Sequence, residues 1–147
     1  MENLHRFEGK TVIVTGSSSG IGEGIARRFH KEGAKVVINA RSEEDCREVA
    51  DSLGAERTLV VAGDISSPEF AKDIVARTVE AFGGLDVLCN NAGVAASGDL
   101  DEASEDDIGK VIDINVKGTT RFVTGVNLPV DGGVNASNGQ PNFSVFN

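Results

Sequence analysis

Short apolar runs alternate along this chain with stretches in which apolar residues recur at helical spacing. Thr11-Val12-Ile13-Val14-Thr15 is the first run and enters a Gly/Ser loop. Ile21, Ile25, Ala26 and Phe29 then mark one face of a helix that Gly33 stops. Lys35-Val36-Val37-Ile38-Asn39 is the second strand. Ser42-Glu43-Glu44-Asp45 reads as a capping box opening a second helix, since a Ser hydroxyl and a carboxylate three residues on can satisfy each other's backbone N–H groups. Thr58 to Ala62 is the third strand. Ser67-Pro68-Glu69 places an N-cap before a proline at the first helical position, where a missing N–H is no loss. That helix runs to about Phe82, and Gly83-Gly84 ends it. Leu85 to Cys89 is the fourth strand, and Ser104-Glu105-Asp106-Asp107 opens a fourth helix carrying Ile108, Val111, Ile112 and Asn115. After Gly118 the alternation ends. One strand-like segment, Phe122 to Val130, leads into Asp131-Gly132-Gly133.

Strands of this length alternating with helices imply right-handed crossovers and a parallel sheet. The strands are near-continuous apolar runs, as expected where helices cover both faces of the sheet. The expected class is therefore α/β, with a doubly wound parallel sheet. No internal repeat is evident, and the tail from residue 137 to 147 is polar and turn-rich.

Composition narrows the function classes. The chain has 147 residues, one ordinary domain, with 39% hydrophobic and 25% charged residues. A net charge of −9 argues against nucleic acid as a partner, because a phosphate backbone needs a basic surface. A small phosphate ligand is still allowed, held by local backbone dipoles. Cys46 and Cys89 have neither disulfide-framework nor metal-ligand spacing, so no metal is expected and a reducing, cytoplasmic setting is. No stretch reaches the length of a membrane span, and MENLHRFEGK lacks the apolar core of a secretion signal. The chain contains no Tyr and no Trp.

The first motif with chemistry is TGSSSGIG, residues 15–22, lying between a strand and a helix. A dinucleotide loop needs this context. Gly16 permits a tight turn, while Gly20 and Gly22 let the backbone approach a pyrophosphate and the helix pack on the sheet. The ligand's charge would then meet free N–H groups at a helix N-terminus. A strand-to-helix turn that binds nothing is the plainer alternative.

Together with three further segments, this loop resembles the short-chain dehydrogenase/reductase family. Asp64-Ile65 follows the third strand, Asn90-Asn91-Ala92-Gly93 follows the fourth, and Asp113-Ile114-Asn115-Val116-Lys117-Gly118 matches the stretch that carries the family's catalytic asparagine. The resemblance covers about Gly9 to Ala136 with an internal gap. It implies a Rossmann-like sheet, here incomplete, with strands in the order 3-2-1-4 plus the family's last strand. It also implies residue roles. Gly16, Ser18, Ser19, Gly20, Ile21 and Gly22 would line the pyrophosphate. Asp64 would accept from the adenine amino group, with Ile65 beside it, unless Asp64 is only a turn carboxylate. Asn91, Ala92 and Gly93 would sit under the nicotinamide-side ribose, and Asn90 would tie strands together. Asn115 would hold a water or a backbone kink beside the catalytic lysine, unless it merely breaks the fourth helix.

The coenzyme can be argued from charge. An acidic residue about twenty positions beyond the loop binds the 2′-OH of NAD. Here that position is Ala40, followed by Arg41 and Ser42. Arg can pair with a 2′-phosphate and Ser can add a hydrogen bond, so NADP is favoured over NAD. The bland reading leaves Arg41 solvated and Ser42 a helix cap.

Reduction of a carbonyl by hydride needs a proton donor at the nascent alkoxide. The family resemblance implies a tyrosine with a lysine four residues later, and a serine that polarises the substrate. None of these has a counterpart here, which leaves Asn115 as the surviving catalytic member. His5, His30, Lys117 and Cys89 are no convincing replacements. The chain passes from helix four, near Arg121, straight to FVTGVNLPVDGG, which resembles the family's final strand. On length alone, roughly a hundred residues are missing near positions 121–122.

The expected organisation is a truncated NAD(P)-binding domain over residues 1–136 and a polar tail over 137–147. Three readings follow. The chain is an NADP-dependent oxidoreductase of a small carbonyl or alcohol by family, deficient in catalysis. Or it is a non-catalytic NADP(H)-binding module, as a homo-oligomer or in a hetero-oligomer with a complete family member. Or it is a deletion or splice product with no role of its own.

Overall fold

The structure, a computed structural model, describes residues 5–95 and 104–118. Four parallel strands form one sheet in the order β3-β2-β1-β4. They are β1 (Thr11–Thr15), β2 (Lys35–Asn39), β3 (Thr58–Val60) and β4 (Val87–Cys89). Helices α1 (Gly20–Lys31), α2 (Glu43–Leu53), α3 (Pro68–Phe82) and α4 (Glu105–Ile112) follow the strands. The expected segment from Phe122 to Val130 and the polar tail lie outside the described residues. No helix among the described residues is long and apolar enough to cross a membrane.

Successive side chains of a strand point to opposite faces of the sheet. Val12, Val14, Val36 and Ile38 therefore share one face, where they pack with Ala26 of α1 and Cys46, Val49 and Ala50 of α2. Ile13 and Val37 share the other, with Val61, Ile65 and Ile74 of α3. Each fully buried Ile or Val contributes about 1.5–3 kcal/mol, so β1 and β2, buried on both faces, are the centre of the fold.

The ends of the outer strands differ from expectation. The third strand stops at Val60 rather than Ala62, although the Val61 N–H still donates to Ile38 O at 3.0 Å. The chain then bends at Gly63 because the Phe70 ring of α3 lies where a side chain would be: a Cβ there would come within 2.1 Å of the ring. The fourth strand begins at Val87 rather than Leu85. Asp86 still joins it to β1: its N–H donates to Thr11 O (2.9 Å), and its carboxylate accepts from Thr11 N–H (2.9 Å) and pairs with Lys10 (2.9 Å). All three β4 residues are only half-buried, and among the described residues β4 is an edge of the sheet.

Capping follows the local sequence. The hydroxyls of Ser42, Ser67 and Ser104 accept from the N–H groups of Asp45, Phe70 and Asp107. The box at α2 is only half formed, because the Ser42 N–H is not bonded to the Asp45 carboxylate. After α4 the backbone widens into a π-helical turn, Asp113–Gly118, so Asn115 sits in a distorted turn rather than a regular helix.

Candidate functional site

The site lies at the C-terminal ends of the strands, where an open parallel sheet leaves a crevice between the loops that leave it in opposite directions. The loop after β1 turns at Gly16 (φ +64°), a conformation that L side chains rarely adopt. Its next residue, Ser17, is fully buried and knits the loop to β2: its Oγ donates to Val14 O (2.7 Å) and accepts from Asn39 N–H (3.0 Å), while its own N–H donates to Asn39 O (2.8 Å). Asn39 in turn donates through Nδ2 to Val61 O at 2.9 Å, carrying the brace across to the β3 end.

A second brace joins β1 to β4. The Thr15 hydroxyl accepts from the N–H groups of Asn91 and Ala92, both at 3.0 Å, and donates to Cys89 O at 3.3 Å. Asn91 returns its side-chain amide to Thr15 O (2.9 Å) and Gly16 O (3.1 Å). Asn91, expected under the ribose, thus makes a tie of the kind assigned to its neighbour Asn90. Gly22 is held beneath this knot. A Cβ on it would lie 2.1 Å from Gly16 O and 2.4 Å from Asn91 Nδ2, so only glycine lets α1 begin so close to the loop.

Above these braces run two adjoining clefts that share Gly16, Ala40, Arg41, Ala92 and Gly93 in their walls. The larger, about 340 Å³, is completed by Ser18, Ser19, Ser42, Asp45 and Asn91. The smaller, about 120 Å³, reaches Asp64, Ile65, Val94 and Ile114. Most of the residues singled out in the sequence are therefore brought together. Some are placed differently from the roles implied for them. Gly20 and Gly22 lie in the first turn of α1, and the Ile21 side chain, 79% exposed, turns away to a separate apolar hollow with Phe7, Ile25 and Phe29. Ile65 is a core residue as well as a cleft wall. The Ser42 hydroxyl is already engaged as the α2 cap, and Asp64 Oδ1 accepts from Ser66 N–H at 2.9 Å in a local turn. Asn115 stands behind the cleft and grips the Val94 peptide through both of its amide atoms.

Thr15, Ser17 and Asn39 received no role from the sequence. Their signal is faint: Thr15 and Asn39 are polar residues ending the apolar runs of β1 and β2, and Ser17 is one serine among three in the loop. Burial pushes the Cys89 thiol above its usual range, which suits a packed strand residue rather than a nucleophile.

A twisted parallel sheet with order 3-2-1-4, helices after each strand and a glycine bend at the tip of β1 defines a Rossmann-type α/β protein. This chain belongs to the short chain dehydrogenase family, whose model matches residues 10–133. It is 45% identical over 115 residues to an uncharacterized oxidoreductase of Thermotoga maritima, covering 76% of this chain and 45% of that protein. An uncharacterized oxidoreductase of Staphylococcus aureus is 39% identical over 110 residues, covering 75% of this chain and 48% of that one. Among solved structures, a 3-ketoacyl-(acyl-carrier-protein) reductase from Brucella melitensis complexed with NADH superposes with a TM-score of 0.76 at 36% identity, over 79% of this chain and 48% of that one. A short chain dehydrogenase from Burkholderia cenocepacia in complex with NADP gives 0.75 at 38% identity, over 79% and 49%. The chain spans about half the length of the relatives it matches.

Proposed function

We propose that this chain binds a nicotinamide dinucleotide, NADP in preference to NAD, and is deficient in the proton delivery that carbonyl reduction by its family requires. The open start of α1 at the floor of the cleft carries this reading. Ser19 is the N-cap but its side chain caps nothing, so the first-turn N–H groups are uncommitted, as an anion site requires. The space above Gly20 is open, with nothing within 4 Å of where a Cβ would be. The residues present thus fit a pyrophosphate.

When bound, the dinucleotide supplies the hydride chemistry; the chain's own residues hold and orient it. The α1 N-terminus, with Ser18 and Ser19, holds the pyrophosphate. The free carboxylate oxygen of Asp64 receives the adenine amino group. The braced loop from Asn91 to Gly93 supports the nicotinamide-side ribose. Asn115 positions that loop through Val94.

Arg41 supports the choice of NADP. Among the described residues it is the only arginine with neither an ion pair nor a hydrogen bond; Arg6, Arg27, Arg28, Arg47, Arg57 and Arg77 are all engaged. A free guanidinium on a cleft wall is a ready partner for a 2′-phosphate.

The deficiency rests on composition: no tyrosine occurs in the 147 residues. The family match extends through FVTGVNLPVDGG, residues 122–133, although the chain is about half the length of its relatives. A chain that has lost an internal block near 121–122 would show both features. Activity on a small carbonyl or alcohol would then belong to complete relatives. α4 buries none of its residues and leaves Ile108 and Ile112 exposed, which favours assembly with a second copy or with such a relative.

Calorimetry on folded protein tests the binding. NADP should bind more tightly than NAD, and Arg41→Ala should weaken NADP about tenfold while leaving NAD within about twofold. Folded protein that gives no heat with either coenzyme ends the binding reading. Turnover of NADPH with a panel of ketones, abolished by changing Asn115, would end the claim of deficiency.

A further inference from the structure

Asp45 occupies the third position of α2, where a carboxylate usually turns back to the N–H of the cap residue. Ser42 Oγ accepts from the Asp45 N–H at 3.2 Å, but the return bond is not made. The equivalent residue of α4 behaves otherwise. Asp107 accepts from Ser104 Oγ at 2.7 Å and pairs with Lys110 at 3.4 Å. The carboxylate of Asp45 is thus uncommitted. It lines the same cleft as Arg41, Ser42, Ser18 and Ser19, and no ion pair joins it to Arg41.

Resting on the dinucleotide reading above, we propose that Asp45 is a specificity-determining residue that opposes Arg41, weakening the hold on a 2′-phosphate so that the chain takes NAD as well as NADP. The physical basis is charge in one cleft. A phosphate monoester carries between about one and a half and two negative charges at neutral pH, and a carboxylate facing it repels it. The 2′-hydroxyl of NAD is neutral and can donate to the same carboxylate. Arg41 and Asp45 therefore pull the coenzyme choice in opposite directions, and the net preference for NADP is smaller than Arg41 alone would set. Because the cleft is open to solvent, the opposition is screened by salt and acts over about one Debye length, ~8 Å at physiological ionic strength.

The test is titration calorimetry with NADP and NAD on the full chain and two variants. Asp45→Asn removes the charge and keeps the backbone N–H that Ser42 caps. Glu44→Gln removes the same charge one residue away, on an exposed side chain outside the cleft. Asp45→Asn should tighten NADP by about three- to tenfold, leave NAD unchanged or weaker, and lose most of this gain at 0.5 M salt; Glu44→Gln should change either coenzyme by less than about twofold. An equal change for both coenzymes, no change, or the same gain from Glu44→Gln overturns the role of Asp45 while leaving the dinucleotide reading intact. Folded wild-type chain that binds neither coenzyme overturns both.

Discussion

Asn115 holds the peptide of Val94 from both sides: Val94 N–H donates to Oδ1 at 2.8 Å and Nδ2 donates to Val94 O at 2.8 Å. The two residues are 21 apart in sequence, and the π-helical turn brings the amide to the loop beyond Gly93. Asn115 thereby positions the wall of the smaller cleft, which Val94 and its neighbour Ile114 line. Asn115→Ala should lower stability by about 1–3 kcal/mol, two half-buried hydrogen bonds being lost. Asn115→Asp keeps the acceptor and loses the donor, so it should fall between the two. Denaturant melts read the stability, and a variant as stable as wild type would remove Asn115 from this role.

Two glycines one turn apart or less should respond in opposite ways. Gly22→Ala forces a methyl into Gly16 O and Asn91 Nδ2, so the loop must move, stability should fall by about 1–3 kcal/mol, and coenzyme binding should be lost. Gly24→Ala meets nothing within 4 Å and sits inside α1, where Ala is the better helix former; it should stabilise by about 0.5–1 kcal/mol. Thermal melts of the pair, with calorimetry for Gly22→Ala, decide the matter.

The Thr15 hydroxyl serves two backbone donors and one carbonyl at once. Thr15→Val is close to isosteric but leaves the Asn91 and Ala92 N–H groups without their acceptor, at about 1–3 kcal/mol. Thr15→Ser retains the hydroxyl and should recover most of that loss. Faster amide exchange at Asn91 and Ala92 in the valine variant alone would locate the effect at the loop.

Glu32 is buried, with 3% of its side chain exposed, yet it stays charged because Arg6 and Arg28 both engage its carboxylate. The hydrogen bond from Arg6 is the main reason its pKa lies at about 2, with Arg28 adding to it and burial opposing. The folded value lies below the ordinary 4.5, so the contribution to stability is fully present above pH 4.5 and is lost as pH falls toward 2. Glu32→Gln should be less stable than wild type at pH 7, with a shallower decline between pH 4.5 and 2. Some decline should remain, because Lys10 holds Asp86 low and Ser104 holds Asp107 low. Melts across that range would show it; parallel curves for the two proteins would contradict it.

Where the sequence reading succeeded, the determinants are local. The apolar runs of β1 and β2 fall on their observed bounds, and Ser42, Ser67 and Ser104 cap the helices that follow them. The ends of β3 and β4 depart from the apolar runs: at β3 the Phe70 ring, from outside the run, bends the chain at Gly63, and at β4 Asp86, within the run, turns its carboxylate to Thr11 and Lys10. At Ser42 only half of the expected capping box forms.

By itself, the sequence determined the elements, their alternation, the glycine bend after β1, and the want of a tyrosine, because periodicity, caps and composition act within a few residues or none. Only the tertiary structure decided that Asn91 secures Thr15 across 76 residues, that Asn115 serves Val94, and that Arg41 and Asp45 face one cleft without pairing. Those relationships depend on the twist and register of the sheet, which set distances between residues remote along the chain, and no local pattern encodes such a distance.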